Sequence, residues 1–408
     1  MRVLVLNSGS SSIKFRLVDA TEDPTGALTI HAARLHGAVR GIGTVAEFEL
    51  AVGSSAPSTT STAIHDHGQA LQVLFDRLSG PLRDVDVVGH RVVHGGARFL
   101  ETTLITAEVE AEIETLSELA PLHNPSCLAG IRGARAAVGD GLPMVAVFDT
   151  AFHQTMPEVA KRYALPAELA EQHQIRRYGF HGIAHASLAA GYAEAAGRPL
   201  EQTRLITMQL GHGCSVTAIA NGRSVETSMG FTPLEGLVMG TRSGDVDPAV
   251  VCYLVRRAGV EPAEVERWLN ERSGLLGVSG RSSDMRDPLR AAAEEGDARA
   301  QFAISLFCHR VRKYVGAYLA VLGGADGVVF GGGIGENAPE IRARICSGME
   351  WFGLRLDPLR NTEVSGLTHG QAARISAPGA GLAVYVVAAD EETWIARETL
   401  QCLRRLRS

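Results

Sequence analysis

Residues 6–15 read LNSGSSSIKF, and how this stretch is read decides how the chain begins to fold. Four apolar residues, Val3 to Leu6, run into Asn7 and then Ser8, Gly9, Ser10, Ser11 and Ser12 before Ile13 and Lys14 resume. A tight hairpin turn needs only two or three small polar residues, so this run is longer than a turn requires. Residues 2–7 and 13–19 are expected to form the two strands of an antiparallel hairpin around it. Backbone N–H groups in such a turn converge on anions, and hydroxyls add donors without bulk. Lys14 places a charge over the same point, and the Asn7 amide oxygen suits a metal-bound water. The residues alone fit equally well a polar hairpin whose serines bond locally.

Outward from the hairpin, strand-like pieces lie near 28–35 and 45–51, and the Ser/Thr/Pro-rich segment 53–62 reads as an exposed loop. A helix near 68–79, a strand at 85–89, helices at 106–119 and 125–138, and an apolar strand at 143–148 ending on Asp149 follow. The second half repeats this grammar. Strands at 204–210 and 215–220 flank Gly211-His212-Gly213, and helices are expected over 247–258, 261–272 and 297–322. Strand 327–330 runs into GGGIG, a helix covers 338–349, and strand 382–388 leads to Asp390-Glu391-Glu392 and a closing helix to about 405. Both halves open with strand, small-residue turn and strand, then alternate strand with helix. The fold class expected is therefore α/β, as two related mixed-sheet domains with a cleft between them.

The length of 408 residues exceeds what one core usually serves. Glycine, at 45 residues, is about 11% of the chain against a norm of about 7%, and it clusters in the loops considered below. A formal charge of −6 argues against a general nucleic-acid or membrane-surface binder. Six scattered cysteines without a CxxC pair suit reduced thiols in a cytoplasmic protein. The N-terminus lacks the apolar core of a signal peptide, and no run is long enough for a membrane span.

Several side chains could carry chemistry. In GHRVVHGG (89–96), Arg91 could fork a carboxylate, or serve a structural ion pair. His90 and His94 have helical metal-ligand spacing, but the Val-Val between them argues strand, which discounts ligation. Asp149, at the end of a buried strand, sits where α/β proteins place catalytic groups, or caps the next helix. His181, beside Gly182, can donate to a developing charge, or be a satisfied structural histidine. Arg242, in a small-residue loop before a helix, is a second cation for an anion, or a surface arginine. The loops at 210–213 and 330–337 favour phosphate or a closely approaching adenosine, although FGGGIGEN has neither Walker nor Rossmann spacing. Segment 282–286 is weak alone. Glu391 suits Mg2+, or the first turn of a helix. Two arginines, a histidine, two strand-end carboxylates and three anion-friendly loops together suit phosphoryl transfer.

Through NSGSSSIKF, GHRVVHGG, APLHNP (120–125), VAVFDTAFHQTMP (145–157), RRYGFHG, FTPLEGLVMGTRSGDVDP (231–248), GGGIGEN and the C-terminal EE pair, nearly the whole chain resembles the acetate kinase family. That family belongs to the acetate and sugar kinase/Hsp70/actin superfamily. The resemblance implies two duplicated mixed-sheet α/β domains of the actin-like ATPase (ribonuclease H-like) type with an interdomain cleft. It assigns 1–150 plus 390–408 to the first lobe, and 151–389 to the second, with the nucleotide site and dimer interface. It implies reversible, Mg2+-dependent transfer of the ATP γ-phosphoryl group to acetate by direct in-line attack, giving acetyl phosphate and ADP, in a cytoplasmic homodimer.

By the same resemblance Asn7 and Glu391 would bind Mg2+, or Mn2+ in its place, and Ser10, Ser12 and Lys14 would contact donor phosphates. Arg91 would hold acetate beside Val93 and Pro233, with Leu122, His123 and Phe180 around the centre. Asp149 would be the catalytic carboxylate, and His181 and Arg242 would stabilise the moving phosphoryl group. Gln209, Leu210, Gly211, His212, Gly213, Asp284, Met285, Arg286, Gly333, Ile334, Gly335, Glu336 and Asn337 would contact ATP. The chain departs from the family at Gln209 and His212, where HLGNG is usual, and at Asp390, where Asn is usual. These departures motivate pyrophosphate as an alternative donor and a weakly catalytic, nucleotide-gated binding module as a third reading. Propionate is the alternative acceptor.

Overall fold

The opening hairpin forms because its two apolar runs alternate across one antiparallel pair. Strands β1 (Arg2–Ser8) and β2 (Ser12–Glu22) set Leu6 opposite Phe15 and Asn7 opposite Lys14. Directly opposed residues share a face of the sheet, so the amide and the ammonium project to the same side. A computed structural model describes the whole chain except residues 10, 24–27, 54, 79, 81–83, 122, 140 and 408. The expected phosphate contact Ser10 and the expected site residue Leu122 lie outside the described residues. The chain forms two compact units, Met1–Phe152 with Glu391–Ser408, and His153–Asp390.

In the first unit the described residues form an eight-stranded sheet. The remaining strands are β3 (Leu28–Arg40), β4 (Thr44–Val52), β5 (Ser58–Ile64), β6 (Val87–Val92), β7 (Thr103–Leu104) and β8 (Met144–Phe148), in the order β5-β4-β3-β2-β1-β6-β8-β7. β1, β6 and β8 run parallel, and the other pairings are antiparallel. Part of the segment expected as a loop at 53–62 is instead edge strand β5. Its threonines are β-branched and favour extended backbone, and its exposed position tolerates their hydroxyls. The strand expected at 85–89 is β6, which continues to Val92 and so carries Arg91.

Two helices cover the parallel strands at close range. At Gly89 an added Cβ would stand 2.3 Å from Thr399 Oγ1 on helix Glu391–Arg407. At Gly130, on helix Asn124–Val138, it would stand 2.4 Å from Ser8 Oγ. The closing helix buries Ile395, Thr399 and Leu403 at helical spacing. Glu391 and Glu392 occupy its first turn and Arg404, Arg405 and Arg407 its last, as the helix dipole favours.

The second unit has, among described residues, a six-stranded sheet. Its strands are β9 (Arg204–Leu210), β10 (Cys214–Ala220), β11 (Arg223–Thr227), β12 (Gly327–Gly331), β13 (Ala372–Arg374) and β14 (Ala383–Val387), in the order β11-β10-β9-β12-β14-β13. Five strands repeat the first unit's plan: β11-β10-β9-β12-β14 corresponds to β3-β2-β1-β6-β8, with two antiparallel pairings followed by two parallel ones. Both sheets are mixed and flanked by helices, as the α/β reading expects. Helix Gly182–Ala196 was not legible in the sequence because it is apolar nearly all round, with ten of its fifteen residues buried and no polar face to mark a period. Among the described residues no helix is long and apolar enough to cross a membrane.

Candidate active site

Each unit holds its own cluster at the ends of its parallel strands. In the first unit, β6 presents Arg91 and β8 delivers Asp149 to the adjacent strand end, where Asp149 N donates to Val92 O at 3.0 Å. The guanidinium grips the carboxylate side-on. Arg91 Nη2 lies 2.6 Å from Asp149 Oδ2, and Nε lies 3.1 and 3.2 Å from the two oxygens. Nη1 donates to Asn7 Oδ1 at 3.1 Å, and Asn7 Nδ2 donates to Glu391 Oε2 at 3.1 Å. Each Nη of Arg91 therefore keeps one N–H for a ligand. Asp149 is buried and committed to Arg91 rather than capping a helix.

Burial alone would lower the Arg91 pKa, but Asp149 and Glu391 outweigh it and hold the value above the ordinary arginine range. Burial raises the Glu391 carboxyl; Arg91 opposes this, while Glu392 and Asp149 add to it. Hard oxygen donors with surplus negative charge fit a small divalent cation, so Glu391 and Asn7 have the chemistry to hold one. Lys14 is exposed, and Ser12, half-buried, accepts from Gly9 N through its carbonyl at 2.8 Å.

The turn after β6 is clamped by Asn124, which sequence reasoning did not single out. Its side chain accepts from His94 N at 3.0 Å and donates to His94 O at 3.1 Å. This fixes His94, the residue after buried Val93, while His123 directly precedes helix Asn124–Val138. His90 and His94 are buried and neutral, held down to about 3 and about 4 by desolvation.

The second unit's cluster centres on Gly213, between β9 and β10. A Cβ there would stand 3.4 Å from His181 Nε2 and 3.7 Å from Arg242 Nη1, so the imidazole and guanidinium converge on one point. Arg242 donates to Pro233 O at 3.2 Å, and no carboxylate among the described residues lies within ion-pair distance of it. Burial lowers its pKa. A desolvated cation without a counter-ion marks a place for an anion.

His181 adopts a left-handed backbone (φ 58°), two residues after Gly179 (φ 75°), and directly precedes helix Gly182–Ala196. Its Nδ1 is 2.8 Å from Ser215 Oγ, which also lies 2.7 Å from His185 Nε2; His185 Nδ1 is 2.8 Å from Thr207 Oγ1. The carbonyl of buried Phe180 is held by His153 Nε2 at 2.9 Å. Ser215 and His185 were missed because a serine inside an apolar strand and a histidine inside an apolar helix carry no sequence signal of their own.

A cavity of about 700 Å3 in the same unit brings together Gly211, His212, Asp284, Met285, Arg286, Gly333, Ile334 and Asn337. This is the size range of small-molecule sites. Asp284 is paired side-on with exposed Arg286 and is pulled down to about 2, chiefly by that bond. The segment expected as a glycine loop is a short helix, Gly332–Asn337, whose first residue lies at φ 74°; a Cβ there would meet Leu210 O at 2.7 Å, so the helix start touches the end of β9 backbone to backbone. Glu336 points inward instead of toward a ligand, accepting from Gly332 N at 2.9 Å and Ala389 N at 3.2 Å. Beneath the loop, fully buried Arg342 donates to Gly335 O at 2.9 Å and Glu336 O at 2.8 Å. Gln209 Oε1 is buried without a partner among the described residues, and Gly335 is buried.

Residues 2–397 match the Acetokinase family. The chain is 48% identical to an acetate kinase of Solibacter usitatus, covering 99% of this chain and 98% of that protein. It is 45% identical to an acetate kinase of Methanosarcina thermophila, covering 98% and 96%. Among solved structures, the acetate kinase of Porphyromonas gingivalis matches with a TM-score of 0.87 at 40% identity, covering 98% and 99%. A propionate kinase of Francisella tularensis matches with the same TM-score at 38% identity and the same coverage.

Proposed function

Because this chain belongs to the acetokinase family, we propose that it is an acetate kinase, transferring the γ-phosphoryl group of ATP to acetate and forming acetyl phosphate and ADP. An acetate oxygen forms the new P–O bond while the bond to the ADP oxygen breaks, with no covalent enzyme intermediate. A carboxylate is already ionised at neutral pH, so no general base is needed. That fits an Asp149 fully engaged by Arg91, whose role is to orient the guanidinium. The remaining N–H groups of Arg91 hold acetate, with Val93 beside it. The observation that carries the reading is Arg242, a desolvated cation with no carboxylate partner among the described residues, converging with His181 on Gly213. These two groups neutralise charge on the transferring phosphoryl group.

Lys14 and Ser12 contact donor phosphates, and the cavity beside Gly211 and Gly333 receives the rest of the nucleotide. Mg2+, with Mn2+ as a substitute, would be held by Glu391 and by Asn7, and when bound supplies neutralising charge to the donor phosphates. The protein acts as a homodimer, for which helix Pro248–Ala258 offers a face, since none of its residues is buried and Tyr253 is exposed. The six free cysteines suit the cytoplasm. Trapping acyl phosphate with hydroxylamine tests the reading. Product is expected with ATP and acetate, and less with propionate or pyrophosphate. Product with pyrophosphate but not ATP would overturn the donor assignment.

A further inference from the structure

We infer that His212 holds the donor's phosphate chain as an imidazolium, so that nucleotide binding takes up a proton from solution. The inference rests on the nucleotide site proposed above. His212 lies on the loop between β9 and β10 and lines the 700 Å3 cavity. Gly240 backs that ring so closely that a Cβ would stand 2.8 Å from Cδ2 and 2.9 Å from Nε2, and Gly240 N donates to His212 O at 2.9 Å. Ring and backbone are thus both seated on one glycine, which leaves the remaining ring edge for the cavity.

The charges facing this ring come from separate elements. Arg242 approaches from the segment after Gly240, and Asp284, itself paired with Arg286, from the opposite wall. Glu340, on helix Pro339–Cys346, lines the same cavity, and His181 lies against the neighbouring Gly213. Burial and Arg242 push the imidazole below its ordinary range, and Asp284 opposes them. The ring is therefore neutral in the free protein near neutral pH, beside a cation with no carboxylate of the described residues at ion-pair distance. A polyphosphate arriving there reverses the local sign of charge and favours the protonated ring. An asparagine in this place cannot titrate, so His212→Asn removes the linkage.

Calorimetric titration of the full chain with ADP, at pH 6.0, 7.0 and 8.0 in buffers of different ionisation enthalpy, tests the inference. Comparison with His212→Asn cancels the titration of ADP itself. Wild type is expected to take up more protons than His212→Asn and, relative to that variant, to lose about three- to sixfold in affinity from pH 6.0 to 8.0, because a rise of about one pKa unit on binding is at most a tenfold effect and the free ring is already partly protonated at pH 6.0. His212→Lys, a permanent cation, should bind at pH 8.0 about as tightly as wild type does at pH 6.0. Equal proton uptake and parallel affinity profiles in wild type and His212→Asn would overturn the inference while leaving the nucleotide site standing. Failure of all three proteins to bind ADP at any pH would remove the nucleotide site and the inference with it.

Discussion

His181 Nδ1 and Ser215 Oγ lie 2.8 Å apart, and the same hydroxyl stands 2.7 Å from His185 Nε2. His185 is buried and held well below the ordinary histidine range by desolvation, so it is neutral. We assign His185 Nε2–H as the donor to Ser215 Oγ and the hydroxyl as the donor to His181 Nδ1, which puts the His181 proton on Nε2, facing the Gly213 point. Ser215 is thus a positioning residue that selects the useful tautomer. Ser215→Ala should lower kcat about 10- to 100-fold, as loss of such orienting partners does, with little change in KM for ATP or acetate. An equal loss confined to KM would refute this role.

The two arginines should fail differently when removed. Arg91 is paired with buried Asp149, so Arg91→Ala leaves an uncompensated carboxylate and should cost about 3–5 kcal/mol of stability as well as raising KM for acetate. Arg242 has no such partner among the described residues, so Arg242→Ala should leave stability nearly unchanged while lowering kcat about 100- to 1000-fold. Urea melts alongside steady-state kinetics separate the two. A large stability loss in the Arg242 variant would contradict its assignment as a charge awaiting an anion.

Gly332 and Gly333 offer a contrast within the first turn of one short helix, Gly332–Asn337. Gly332→Ala must place a Cβ 2.7 Å from Leu210 O at a φ of 74°, whereas at Gly333 nothing lies within 4 Å. The first substitution should cost about 1–3 kcal/mol and raise KM for ATP without altering that for acetate. The second should change stability by less than about 0.5 kcal/mol. Thermal melts of both variants are the measurement, and equal costs would mean the close approach to Leu210 is not real.

Much of this was legible in the chain because small-residue loops at strand ends have few purposes. The hairpin around Asn7, the strand end at Asp149 and the loop at 211–213 stand where their composition places them, whereas the segment expected as a glycine loop at 330–337 is the end of β12 followed by a short helix, Gly332–Asn337. Two kinds of feature were hidden. Polar residues inside apolar elements, such as Ser215, His185 and Arg342, look like exceptions until the fold shows what each one touches. Orientation was hidden as well: Glu336 sits in a glycine loop expected to meet the nucleotide, yet its carboxylate turns back onto Gly332 N. Composition gives a loop its chemistry, but the side chain's direction depends on which backbone donors the fold leaves open. The threonine-rich strand β5 was misread for a related reason, since edge strands share their polarity with loops.

Buried neutral histidines should make stability depend on pH. His153 is fully buried, bonded to Ser224 Oγ at 2.9 Å and Phe180 O at 2.9 Å, and held down to about 4 by burial, with the Phe180 bond opposing and Arg177 adding. Its folded value lies below the unfolded value of about 6.5, so the unfolded chain binds the extra proton. The contribution is therefore complete above about pH 6.5 and is lost as pH falls from there toward 4. At pH 5 the loss amounts to about 2 kcal/mol for this one group. Glu226, Glu391 and Glu398, whose values are raised mainly by burial, act with the opposite sign, so total stability is not the right readout. The difference between wild type and His153→Gln isolates the histidine. The variant should be less stable at pH 7, having lost two buried hydrogen bonds, yet its decline from pH 7 to pH 5 should be shallower by about 2 kcal/mol. Parallel profiles in urea unfolding at the two pH values would mean that His153 is already charged in the folded protein, which its burial against Phe180 forbids.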